Sequence, residues 1–77
     1  MFTSVMTADE FREWRTRLIL SQSEAALLLG ISTRCVSYYE TGGRNIDWRT
    51  TVACHAFEEW PKLRAVIPAI LERIQET

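Results

Sequence analysis

Between residues 12 and 49 every basic side chain is an arginine: Arg12, Arg15, Arg17, Arg34, Arg44 and Arg49. A guanidinium is planar and forked. It meets a phosphate, or the O6/N7 edge of a guanine, with two parallel hydrogen bonds, whereas a lysine ammonium acts as a point charge. Four acids share the stretch (Glu13, Glu24, Glu40, Asp47), which leaves it at +2, against −2 for residues 1–11 and −1 for residues 50–77. The whole chain sums to −1. A total near zero speaks against a strongly basic nucleic-acid binder, but the placement of charge matters more than its sum. With so small a surplus, non-specific affinity for a polyanion should be modest.

Other chemistries find little to use. His55 is the single histidine, and Cys54 stands beside it rather than one turn away. Adjacent residues on a helix point to different sides, so the two form no dyad. Two cysteines, Cys35 and Cys54, and one histidine give no zinc spacing and read as reduced thiols. Glu58-Glu59 reads as a solvated helix end. No phosphate loop is present, and no metal or cofactor is implied, so the chain is not read as an enzyme. Cys35 lies beside Arg34, whose charge favours a thiolate, which makes oxidation there a minor alternative reading.

Short helices must hold these groups. Thr7-Ala-Asp-Glu10 and Ser21-Gln-Ser-Glu24 are capping boxes, which predict helix starts near Ala8 and Gln22. The first helix is expected to run to Ile19, with Phe11, Trp14 and Leu18 on one face. The second buries Ala25 or Ala26, Leu28 and Leu29. Gly30 suits the turn, because it accepts φ > 0 without a Cβ penalty. Ser32 caps a third helix over about 33–40, with Val36 and Tyr39 inward, and Gly42-Gly43 ends it. Asp47 caps a fourth helix over about 48–59, whose expected apolar stripe is Val52, Ala56, Phe57 and Trp60.

Pro61 opens a last helix. Its seam continues past Pro68, which favours a kink over a break. Leu63, Ile67, Ile70 and Ile74 fall at spacings of 4, 3 and 4, as in the a and d positions of a coiled coil. The stripe could serve dimerisation, or it could pack on the first and fourth helices of the same chain.

At 77 residues the chain makes at most one domain, 1–77. It has no basic, apolar leader and no run long enough to span a membrane, so it reads as soluble and cytoplasmic. Nearly half the residues, 47%, are apolar, which is generous for a core this small. Some of that surface is expected to be buried between subunits.

Gln22, Ala26, Gly30, Val36 and the trailing Glu40-Thr41-Gly42 resemble the Cro/C1-type (XRE) helix-turn-helix family of bacterial and phage regulators, over roughly residues 7–58. The resemblance implies an all-α, lambda-repressor-like bundle of four to five helices with a central helix-turn-helix. It implies a transcriptional repressor, binding an inverted-repeat operator in double-stranded DNA as a homodimer. The third helix would enter the major groove with Thr33, Arg34, Ser37 and Tyr38 toward the bases. Gln22 and Ser32 would face phosphates, with Arg44, Asn45 and Arg49 as further phosphate candidates. Arg15 and Glu40 match a structural ion pair found in such relatives. Small autorepressors of phage and mobile elements, including regulators encoded beside anti-CRISPR genes, are the nearest analogy. Two other classes stay open. One is an antitoxin whose last helix binds a toxin partner, and the other an interaction module that has lost DNA binding.

Overall fold

The computed structural model describes residues 4–75, with side chains to Arg73. It contains α1 (Ala8–Arg17), α2 (Gln22–Leu29), α3 (Thr33–Thr41), α4 (Trp48–Glu59) and α5 (Pro61–Gln75), and no strand among the described residues. The architecture is all-α, as the sequence predicts.

Local hydrogen bonds fix the helix starts. The Thr7 hydroxyl accepts from the Glu10 amide at 3.2 Å, and the Glu10 carboxylate accepts from the Thr7 amide at 2.8 Å. Ser21 and Glu24 repeat the arrangement at 3.0 and 2.9 Å. Ser32 and Asp47 cap α3 and α4 by accepting from the amides of Cys35 and Thr50. Each bond satisfies a donor that the helix itself leaves unpaired.

The helix ends reveal one departure. α1 stops at Arg17, not at Ile19, because Ile19 adopts a left-handed conformation with φ 58°. The Leu20 amide then bonds back to the Arg15 carbonyl and the Ile19 amide to the Thr16 carbonyl, both at 3.0 Å. This is the Schellman pattern, normally built around glycine. α2 ends the same way around Gly30, with φ 72°. An added Cβ at Gly30 would meet nothing within 4 Å, so the demand for glycine there is torsional.

The core gathers Phe11 and Trp14 of α1, Ala25 and Ala26 of α2, Val36 and Tyr39 of α3 and Cys54 of α4. The Phe11 ring lies 5.4 Å from Trp14 and 5.6 Å from Tyr39, the latter edge-on. Trp14 donates its indole N–H to the Cys54 carbonyl at 2.8 Å, so the buried ring leaves no unpaired donor.

The inward face of α4 is not the predicted one. Thr50, Thr51 and Cys54 are buried, while Val52 and Trp60 are exposed and Ala56 and Phe57 are half-buried. The Thr51 hydroxyl accepts from the Met6 amide and donates to the Asp47 carbonyl, both at 3.0 Å. With both capacities satisfied, the threonine enters the core at little cost.

α5 runs unbroken through Pro68 and packs on α4 and α2. Ile67 and Leu71 are buried within the chain, and Leu63 and Ile70 are half-buried. The stripe considered for dimerisation is therefore turned largely inward, toward α2 and α4 rather than α1 and α4. The side chain of Ile74 lies outside the described residues.

Candidate nucleic-acid interface

Alternation around α3 separates its two faces. Cys35, Val36, Tyr39 and Glu40 are buried, while Thr33, Arg34 and Thr41 are exposed, Tyr38 is 43% exposed and Ser37 is half-buried. The predicted outer residues Thr33, Arg34, Ser37 and Tyr38 thus share one side of one helix. Thr41 continues that side, one turn beyond Ser37, and was missed by sequence reasoning; its spacing from Arg34 and Ser37 was the available signal. Its hydroxyl donates to the Ser37 carbonyl at 3.1 Å. Ser32 precedes the helix, its hydroxyl engaged in the cap.

The opposite side is anchored by charge. Arg15 reaches from α1 to Glu40 with a two-pronged contact, Nε to Oε2 at 2.5 Å and Nη2 to Oε1 at 3.0 Å. Its Nη1 donates to the Leu20 carbonyl at 2.9 Å, which also ties down the α1–α2 turn. Gln22, at the start of α2, donates its side-chain amide to Glu40 Oε1 at 3.3 Å. Burial alone would raise the Glu40 carboxyl, but the bonds from Arg15 and Gln22 outweigh it and hold the group below its ordinary value. The bond to Glu40 in turn raises Arg15. Glu40 thus joins α1, α2 and α3 at one point.

Arg44, in the loop after α3, folds back over the helix. Its guanidinium lies 5.9 Å above the Tyr38 ring, and Nη1 is 3.7 Å from Cys35 Sγ. This contact could not be read from sequence, because it depends on the path of the loop. Asn45 and Arg49 are exposed in the loop and in the first turn of α4.

The arginines divide by partner. Arg12 pairs with Asp9, Arg15 with Glu40, and Arg17 with Glu58, whose carboxylate it grips at 2.5 and 2.8 Å. Glu58 is accordingly no solvated helix end, and the bond from Arg17 holds its carboxyl below the usual range. Arg34, Arg44 and Arg49 have no ion pair among the described residues. Three arginines without a carboxylate contact thus lie on α3 and the segment that follows it, and Lys62, Arg64 and Arg73 of α5 likewise have no ion pair among the described residues. No group of three or more metal-ligating side chains occurs among the described residues. Burial pushes the Cys54 thiol up to about 12, so it stays protonated and inert.

The stretch from Phe11 to Asp47, which holds α2, the Gly30 turn and α3, matches the helix-turn-helix family model. The match covers just under half of the 77 residues and ends where α4 begins, a shorter stretch than the resemblance over 7–58. It supports a DNA-binding regulatory domain. No curated protein matches the chain, and no solved structure does. Among the described residues, no helix is long and apolar enough to cross a membrane. Within the helix-turn-helix, α2 is held against α3 through Gln22 and Glu40, and α3 keeps its outer face clear of intramolecular ion pairs.

Proposed function

We propose that this chain is a sequence-specific DNA-binding transcription regulator that reads the major groove with the outer face of α3. The observation that carries the reading is Arg34. It is exposed on the first turn of α3 and has no carboxylate partner among the described residues, while the arginines of α1 are all paired. Arg34 would take guanine O6 and N7 with its two-pronged edge. Thr33 and Ser37 bring hydroxyls to the same groove, and Tyr38 offers a ring to a sugar or a thymine methyl. Gln22 and Ser32, at the starts of α2 and α3, would meet phosphates, as suits helix N-termini. Arg44 and Asn45 would meet the neighbouring phosphates.

One such module spans few base pairs. A homodimer on an inverted repeat, with half-site centres about 34 Å apart, supplies the missing specificity. Occupying a promoter is sufficient for repression, and repression of the chain's own operon is the simplest circuit for it. Selection of bound sequences from a random duplex pool tests the reading. A palindromic motif should emerge, and its guanine preference should weaken for Arg34→Ala. Failure of any motif to emerge would reject sequence-specific binding.

A further inference from the structure

The outward face of α4 carries a stripe with its own two-fold character. Arg49, Val52, Ala56 and Glu59 follow at spacings of 3, 4 and 3, the a/d repeat of a short coiled-coil seam. Arg49, Val52 and Glu59 are exposed, Val52 by 40%, and Ala56 is half-buried. Trp60, 62% exposed, stands at the end of the stripe. With Val52, His55, Ala56 and Glu59 it lines a shallow groove of about 110 Å³. Ala56 is small enough to let a second helix approach closely.

We propose that this stripe is the surface through which two copies of the chain pair, each α4 antiparallel to the other. In a two-fold contact, residue i meets j and j meets i. An antiparallel alignment centred on position 54 sets Arg49 against the partner's Glu59 and Val52 against the partner's Ala56. Each pair is symmetric about that centre, so one register satisfies charge and shape together. A parallel alignment would set arginine against arginine and glutamate against glutamate. The charge pattern therefore selects both the occupant, a second copy, and its direction. The apolar centre and the Trp60 rim supply the burial, and the end charges fix the register. α5 offers no comparable stripe, because Ile67 and Leu71 are already spent inside the chain.

The pairing deepens the DNA-binding reading by supplying the dimer for the inverted repeat, and it gives Arg49 a protein partner instead of a phosphate. It can be measured without DNA. Sedimentation equilibrium of the full chain should show a reversible dimer. Arg49→Glu or Glu59→Arg sets like charges together at both symmetric ends, and each should weaken the dimer about tenfold at low salt. The double variant, Arg49→Glu with Glu59→Arg, should recover wild-type association. Val52→Asp should be monomeric with an unchanged helical circular-dichroism spectrum. The proposal is overturned by a wild type that stays monomeric, by reversals without effect, by a double variant no better than the singles, or by a dimeric Val52→Asp. A rescued dimer with no enriched DNA motif would reject the DNA reading alone. An enriched motif bound by a monomer would reject the interface alone.

Discussion

Ile19 and Gly30 occupy the same position in two successive helix ends. Each is the left-handed residue of a Schellman turn, at φ 58° and 72°, and each turn closes with the same pair of backward hydrogen bonds. Glycine is at ease there. A β-branched residue is not, and the Ile19 side chain is 89% exposed, so packing returns little for the strain.

Replacing Ile19 by glycine should therefore stabilise the fold. Relief of the left-handed penalty, about 1–2 kcal/mol, exceeds the added chain entropy of glycine, about 0.5–1 kcal/mol. A gain of about 0.5–1 kcal/mol in urea unfolding is expected for Ile19→Gly. Gly30→Ala, at the equivalent position, should lose about 1 kcal/mol. Destabilisation by Ile19→Gly would show that the isoleucine makes contacts outweighing its torsion.

Glu40→Ala should be far more damaging than Arg34→Ala. The first strands the Arg15 guanidinium, at a cost of about 3–5 kcal/mol. The second removes an exposed side chain and should change stability by less than about 0.5 kcal/mol. Equal melting temperatures for the two variants would remove Glu40 from its role as the junction of three helices.

Stability should fall off on both sides of neutrality. Glu40, Asp47 and Glu58 are held below their ordinary values in the folded chain. As pH drops, the unfolded chain takes up these protons first, so their stabilisation is complete above about pH 4.3 and is lost below it. Cys54 has the opposite effect, raised to about 12 by burial. The unfolded thiol ionises first, near pH 8.5, so stability declines above that value until the folded thiol also titrates. Melting curves across pH should show both limbs, and Cys54→Ala should flatten the alkaline one. A limb unchanged by Cys54→Ala would assign it to another group, Tyr39 being the next candidate, since its burial also raises it.

On DNA, Arg34 and Arg44 should behave differently. Arg34→Ala is expected to cost about 1–3 kcal/mol on the selected operator and to relax preference at one base pair. Arg44→Ala should weaken binding to all sequences alike and lower the salt slope by about 1. Binding titrations across salt, on the operator and on a scrambled duplex, separate the two. Uniform weakening by Arg34→Ala would reassign it to a phosphate.

What the sequence made legible was local. Capping boxes join residues three apart, so Thr7–Glu10 and Ser21–Glu24 place two helix starts without any knowledge of the fold. The outer face of α3 followed from the inward pull of Val36 and Tyr39. The α4 face was misread because hydropathy ranks Val52 and Trp60 above Thr51. The hydroxyl of Thr51 is satisfied partly by the Met6 amide, forty-five residues away in the chain. The stop at Arg17 was hidden for a related reason: isoleucine gives no sign of a left-handed turn. Arg44 over Tyr38 and Gln22 on Glu40 likewise depend on how separate segments meet.

The bond from Gln22 to Glu40 changes when the side-chain order at α2 is established. A free glutamine on a surface must surrender its rotamers on meeting a ligand, typically at about 0.5–1.5 kcal/mol. Here the amide is already oriented by a carboxylate that Arg15 holds in place, so that ordering happens during folding and is absent from the binding step. The surface at the start of α2 therefore inherits its stiffness from the interior. A substitution at the buried Glu40 would be felt there as a looser hand, even in molecules that remain folded.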